Sequence, residues 1–292
     1  MTTGTYDLAV AYRIYPEVSK LTIAHSDDKL KLAELSLSSF RMSLGELRAK
    51  LWILLDGCPP EYKQLFRRYF EEEDLVFVEL AGEGNASTFD RQLDILLEQA
   101  VAPLVYFAED DYLYRPGALE KMVHFLGGHS DVEFVTPYDH LDYYTLQIHG
   151  SSGPLRLYES QHWRTAASTC LTFLTRQETL KETEAVFRTY TSGRCSDAAL
   201  WFSLTKSSMF NPFFWLPFIT KERRLFSLFA QAWRRCGLQL LFGRRRSLWL
   251  AIPSLATHLE AECVAPAVDW TTVAREAVAG GSGEPPLCTD SR

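Results

Sequence analysis

Four short apolar runs punctuate the first half of the chain, and the segments between them carry helical spacing. The runs are YDLAVAYRI (6–14), LWILLDG (51–57), DLVFVEL (74–80) and LVYFA (104–108). Each is the length of a buried strand and too short for a buried helix. Between the first two, Leu30, Ala33, Leu37, Phe40 and Leu44 recur at helical spacing, which predicts a helix around 28–46. Asp56-Gly57 followed by Pro59-Pro60 breaks the chain, and EYKQLFRRYFEE (61–72) reads as the next helix. STFDRQLDILLEQA (87–100) reads as another, capped by Ser87 or Thr88. Alternation of this kind requires right-handed crossovers. It predicts an α/β, Rossmann-type fold: a mixed, mainly parallel sheet flanked by helices.

Beyond residue 130 the rhythm loosens. DVEFVTPYDHLDYY (131–144) starts as a strand and ends in a polar-aromatic loop, and STCLTFLT (168–175) reads as a strand. A helix is expected over 176–190, another over SDAALWFSL (196–204) with Ser196 as its cap, and a strand in LWLAIPSLA (248–256). The expected organisation is one domain in two halves, 1–130 and 131–279, the second carrying an aromatic, basic segment at 209–246. The remaining residues, 280–292, read as a disordered tail.

The formal net charge of −7 argues against nucleic acid as a partner. It also conceals an asymmetry. Residues 221–246 hold eight Lys/Arg against the single acid Glu222, a local +7 on a remainder of −14. Leu225, Leu228, Phe229, Ala232 and Cys236 share one helical face there, with Arg223, Arg224, Arg234 and Arg235 nearby. Three readings fit: a lid packed on the domain, a peripheral contact with an anionic membrane surface, or a contact with an anionic acceptor. The absence of a charged segment followed by an apolar one at the start leads to the expectation of a protein that is cytoplasmic or peripheral on the membrane's cytosolic face. Six scattered cysteines without metal spacing are expected to be reduced.

The run LVYFA ends in three consecutive acids, Glu109, Asp110 and Asp111. Ligands on parallel sheets bind beyond the carboxyl ends of the strands, and Arg13 and Asp56 also stand at such ends. In an extended chain Glu109 and Asp111 would share a face and Asp110 would oppose them. Crowded carboxylates need a cation or a proton, and a divalent metal with oxygen preference is the economical one.

EDDYLYRPGALEKMVHFL (109–126) resembles the DxD-type motif of GT-A glycosyltransferases, in the EDD form of the N-acetylglucosaminyltransferases and of family-2-like enzymes. LAVAYRIYP (8–16) and ILLDG (53–57) are similar to the two upstream strands of that family, in the same order. The resemblance covers about 6–130. It implies a GT-A-like fold and transfer of a sugar from a nucleotide-diphosphate donor, with UDP the expected nucleotide and inversion the expected outcome. It also implies Mn²⁺ or Mg²⁺ as cofactor and a glycan or lipid-linked acceptor. Carried over by residue, it makes Asp111 the metal ligand and lets Glu109 and Asp110 contact ribose, sugar or metal-bound water. Asp56 would receive the uracil ring's hydrogen bond, while Arg13 and Arg91 would flank the nucleotide. Asn85, in a Gly-rich loop, is a further candidate contact.

An inverting transfer needs a base near the acceptor hydroxyl. Asp197, at a helix start with Arg194 close by, is placed to stay ionised. Asp139 and Asp142 are its rivals. His258 is the expected second metal contact, as a late histidine is in many GT-A enzymes. Two alternatives stand beside this reading. A nucleotidyltransferase also binds metal and nucleotide by strand-end acids, but AYRIYP stands where a Gly-rich, basic loop would be expected. The other is an inactive, glycan-binding or scaffold protein of the same fold.

Overall fold

A computed structural model describes the chain except for residues 1–5, 18–21, 26–27, 150–152, 218, 220–221 and 282–292. The expected disordered tail therefore lies almost wholly outside the described residues. The first half alternates as its sequence predicts: β1 Leu8–Ile14, α1 Lys29–Ser43, β2 Ala49–Asp56, α2 Glu61–Arg67, β3 Leu75–Leu80, α3 Gly84–Glu98 and β4 Leu104–Glu109. After β4 come β5 Tyr112–Tyr114, α4 Ala118–Gly128, β6 Phe134–Thr136, α5 Asp142–Thr145, β7 Leu155–Tyr158, β8 Gln161–Thr165, β9 Phe173–Arg176, α6 Gln177–Thr191 and α7 Asp197–Thr205. A short helix Pro212–Trp215, a long helix Arg223–Phe242, strands β10 Leu248–Ile252 and β11 Ala256–His258, and the helix Trp270–Gly281 complete the chain.

The fold is mixed α/β: a nine-stranded sheet in the order β3-β2-β1-β4-β9-β6-β10-β8-β7, with helices on both faces. Seven strands run the same way, while β8 and β9 are reversed. Each reversed strand has two neighbours, so the parallel and antiparallel ladders are equal in number. Strands from 131–279 extend this sheet, except β11, which forms a separate two-stranded sheet with β5.

Strand alternation divides the interior into two cores. Leu8, Val10, Tyr12 and Ile14 of β1 join a core with α1, α2 and α4. Ala9 and Ala11 face the other way, into a core with α3, α6 and α7. The small side chains of β1 there let Phe89 of α3 reach the sheet. Phe173 centres this second core, its ring 4.6 Å from Phe107 and 5.1 Å from Trp201.

Three elements differ from expectation, each for a local reason. The helix expected over 87–100 starts three residues earlier, at Gly84, because Asp56 of β2 accepts the Glu83 and Gly84 N–H groups at 2.7 and 2.9 Å. Neither Ser87 nor Thr88 caps it. The strand expected over 168–175 is only Phe173–Arg176. Upstream, the carbonyls of Ala167, Ser168 and Cys170 accept from Thr205, Tyr143 and Trp201 side chains instead of a ladder. The strand expected over 248–256 divides at Pro253, and its second part, β11, leaves the main sheet to pair with β5.

The apolar face of the long helix on which the membrane reading rested is packed inside the protein. Phe229, Ala232 and Cys236 are buried, and Leu225 and Leu228 pack on the same core, so this apolar face is covered by α7 and its neighbours. It is not available to a membrane. Arg234 and Arg235 lie on the exposed side, and Arg224 falls among side chains that are not described. Among the described residues, no helix is long and apolar enough to cross a membrane. Cys58, Cys170, Cys195, Cys236 and Cys263 are free thiols, as expected; Cys288 lies outside the described residues.

Candidate active site

A cavity of about 350 Å³ opens at the carboxyl ends of β1, β2 and β4. Arg13, Asp56, Glu109, Asp110, Asp111, Asp197 and His258 all line it, and so does Asn85. Residues from both halves of the chain thus meet at the rim where an α/β sheet binds ligands.

The strand register explains the first contact. Parallel pairing sets Arg13 directly beside Glu109, and both follow the residues of their strands that face α3 and α6. The two side chains form an ion pair, and Arg13 also donates to the Asn85 carbonyl at 3.1 Å. The second oxygen of Glu109 accepts from the Thr172 hydroxyl at 2.6 Å. Burial alone would make the Arg13 guanidinium easier to deprotonate, but the Glu109 charge outweighs it and raises the pKa.

β4 ends at Glu109, and Asp110 and Asp111 form a turn before β5. The strict alternation expected for the triplet therefore stops one residue too early, and all three acids line the cavity. Each has its own cationic partner. Asp110 is paired with Lys29 at 2.7 Å and accepts from the Tyr15 N–H at 3.3 Å. Asp111 lies 3.0 Å from His258 Nε2. Arg13, Lys29 and His258 thus offset the crowded charge, one from each of three separate elements.

His258 reaches this point because β11 pairs antiparallel with β5, which places it opposite Tyr112, the residue after Asp111. The Glu260 N–H donates to Nδ1 at 3.1 Å, orienting the ring with Nε2 toward Asp111. Burial disfavours the protonated ring, yet the Asp111 charge overrides this and raises the His258 pKa. Reciprocally, burial opposes ionisation of Asp111, but His258 and more distant cations hold it at about 2. Burial has the upper hand at Asp110, whose pKa is raised despite Lys29.

These residues can be tested as a place for a divalent ion. Among the described residues, no group of three or more His, Cys, Asp or Glu side chains is arranged to hold a metal. An all-protein cage therefore does not fit. A two-ligand site does: Asp111 Oδ1 is buried without a hydrogen-bond partner, and an oriented imidazole lies beside its other oxygen. Mg²⁺ and Mn²⁺ commonly take one or two protein ligands and complete their shell with phosphate oxygens and water.

Asp56 is 3% exposed at the cavity wall, and its oxygens serve α3: Oδ1 accepts from Glu83 N–H, Oδ2 from Gly84 N–H and from Thr88 at 3.3 Å. A lone pair on Oδ1 remains. Arg91 stands apart from the cavity, its side chain 55% exposed and 3.6 Å from Glu83. Of the expected site residues it is the one that the fold does not bring to the rim.

Asp197 is the first residue of α7, and its Oδ1 accepts the Ala198 N–H at 2.7 Å. Arg194 is exposed and forms no ion pair with it. Arg194 therefore does not hold Asp197 in its charged form. Burial, with a contribution from the Glu109 charge, raises the Asp197 pKa, which makes it a stronger base when ionised. Its rivals are occupied elsewhere. Asp139 is bound by Arg164 at 2.8 Å and by the Tyr144 hydroxyl at 2.5 Å, and neither it nor Asp142 lines the cavity.

Ser196 caps α7 as expected, accepting from Ala199 N–H while donating its own N–H and hydroxyl to Gln231 of the long helix. Ser196→Ala is expected to lower stability by about 1 kcal/mol, the usual cost of a lost N-cap, measurable by urea unfolding.

Sequence reasoning missed Lys29, Tyr190, Cys170 and Glu260, which also line the cavity. Lys29 follows the helix cap Asp28 and offers no local signal of facing Asp110.

The sequence matches no protein-family model and no curated protein. Among solved structures the chain is similar to TarS of S. aureus, at 14% identity over 63% of this chain and 33% of that one, TM-score 0.40. It is likewise similar to the mannosyltransferase PcManGT from Pyrobaculum calidifontis, solved in complex with GDP-Man and Mn²⁺, at 17% identity over 70% and 53%, TM-score 0.41. A cytidylyltransferase from Leptospira borgpetersenii is similar at 10% identity over 61% and 63%, TM-score 0.34. The chain spans about a third of that TarS chain and about half of the mannosyltransferase chain. At these identities and TM-scores the likeness carries no argument about activity, and the site is read from its own residues.

Proposed function

We propose that the chain is a GT-A-type glycosyltransferase that moves a sugar from a nucleotide-diphosphate donor, UDP-linked by preference, to a glycan or lipid-linked acceptor with inversion. The observation that carries this reading is the convergence of Asp56, Arg13, the triplet, His258 and Asp197 around one cavity at the sheet's ligand rim. In this reading Asp56 accepts from the base with its remaining lone pair. Arg13 borders the nucleotide, held in place by Glu109 and Asn85. Glu109 and Asp110 face the ribose and sugar. Asp111 and His258 would hold Mn²⁺ or Mg²⁺ together with the diphosphate, and the ion would neutralise charge on that leaving group. For Nε2 to turn a lone pair outward, the ring proton would have to sit on Nδ1, which would give up the Glu260 N–H bond and turn the ring N–H toward the Glu260 carboxylate, 4.0 Å away. Asp197 takes the proton of the attacking acceptor hydroxyl.

A nucleotidyltransferase would use the same kinds of residues, and the products separate the two. Incubation with nucleotide sugars and Mn²⁺ should release nucleoside diphosphate. Release of pyrophosphate from a nucleoside triphosphate and a sugar phosphate would instead establish the second reading, and neither product would indicate an inactive binding protein.

A further inference from the structure

A second cavity, of about 530 Å³, shares no lining residue with the first and lies at the opposite rim of the sheet. It opens where β6 and β10 begin and where the reversed strand β8 ends, lined by Glu133, Leu248 and Thr165–Ala167. Its walls carry Arg156, Arg164, Lys206, Arg244, Arg245 and Arg246 against only two acids, Asp131 and Glu133.

Both acids are spent. Asp131 is clasped by Arg156 through two contacts, at 2.9 and 2.5 Å. Glu133 accepts from Arg244 at 2.5 Å, Arg246 at 2.8 Å and the Ser247 N–H at 3.0 Å. From outside the lining, Asp139 pairs with Arg164 and Glu182 with Arg244 and Arg246, so four carboxylates meet six cations and a surplus of about two charges remains. Arg246 is only 8% exposed, yet its Nε–H is buried without a partner. Arg164 Nε and Trp249 Nε1 are also buried and unpartnered, and both residues line the same cavity. Arg245 uses Nε on the Thr205 carbonyl at 2.9 Å. Arg164 and Trp249 leave the sheet on opposite faces, so these donors border the hollow from different sides. A buried N–H without an acceptor is costly, and such groups beside a positively charged hollow favour an anion rich in acceptors.

We infer that this cavity is a binding site for a phosphate monoester, gripped by the Arg245–Arg246 loop. Guanidinium forks match phosphate oxygens, and a dianion answers the charge surplus better than a carboxylate does. The volume leaves room for an organic group on the phosphate. Two sources share this chemistry: a soluble phosphate compound and a lipid headgroup. The lipid source has a structural motive, because Leu238 and Phe242, 77% and 82% exposed, lie on the turns just before Gly243 and the arginines. The site is independent of the sugar-transfer reading, since it uses none of the residues assigned to that reaction.

The test has two arms, each run on the full chain and on Arg245→Gln. Inorganic phosphate is titrated calorimetrically, and flotation compares phosphatidylcholine vesicles containing phosphatidic acid with ones containing phosphatidylserine. The inference expects phosphate binding, or preferential capture by phosphatidic acid, that is about tenfold weaker in Arg245→Gln. Arg246→Gln should weaken it as well. Because Arg246 also bridges Glu133 and Glu182, and its loss can unfold the chain, Arg245→Gln decides. Binding of phosphate alone identifies a soluble ligand, and capture by phosphatidic acid alone a headgroup. Failure of both arms, capture by the two lipids alike without phosphate binding, or binding unchanged in Arg245→Gln would each overturn the inference.

Discussion

Replacing Asp197 by asparagine is expected to slow sugar transfer by about 10²–10⁴-fold, the range that a positioned general base supplies. Nucleotide binding should stay within about twofold, because the carboxylate acts only as the acceptor proton leaves. The change is close to isosteric, and asparagine can keep the 2.7 Å hydrogen bond from Ala198 N–H. Stability provides the control. Burial raises the Asp197 pKa in the folded chain above its unfolded value. Its protonated form is therefore the better tolerated one: the stability linked to this group is present below the unfolded pKa and lost as pH rises through the folded one. At neutral pH the variant should then unfold at an equal or higher urea concentration than the parent. Transfer by the parent should fall on the acid side at a higher pH than an ordinary aspartate would impose. Full activity in Asp197→Asn would remove the base from this site, and a drop in stability matching the lost activity would make its role structural.

The second large effect concerns Asp111. Asp111→Ala removes the buried, unpartnered oxygen and the pairing that draws His258 Nε2 toward it. Mn²⁺ bound in the presence of UDP, followed by electron paramagnetic resonance, should weaken by more than about 100-fold, beyond the loss caused by removing a mere supporting group. In the parent, the proton on His258 competes with the ion for the same place. Because Asp111 raises the His258 pKa, Mn²⁺ affinity should climb as pH rises through that raised value. Affinity independent of pH would leave His258 out of the metal shell. Unchanged Mn²⁺ binding in Asp111→Ala would move the ion elsewhere.

Much of this arrangement is legible in the sequence. The apolar runs specify β1, β2 and β4, largely buried on both faces, and the half-buried edge strand β3, and their carboxyl ends place Arg13, Asp56 and Glu109 at one rim. The Arg13–Glu109 pair then follows from parallel register alone. What stays hidden depends on contacts between distant segments. Asp56 looks like the first residue of an Asp-Gly turn, and nothing local reveals that it also caps α3. Lys29 looks like an ordinary helix start, yet it neutralises Asp110. The proximity of His258 to Asp111 depends on β11 leaving the main sheet for β5, a choice made by pairing rather than by composition. At Asp197 the sequence points the other way, because its neighbour Arg194 is exposed, whereas burial depends on the folded whole. In the long helix the periodic face was readable, but amphipathicity alone does not say whether protein or lipid covers it.

The account rests on the triplet's cavity being a place for a nucleoside diphosphate with a divalent ion. Calorimetric titration of UDP into the full chain, with Mn²⁺ and then with chelator, addresses this most directly. The account predicts binding that strengthens by at least about tenfold when Mn²⁺ is present, as expected where diphosphate oxygens complete the ion's shell. Equal affinity with and without the ion, or no binding in either case, would contradict it.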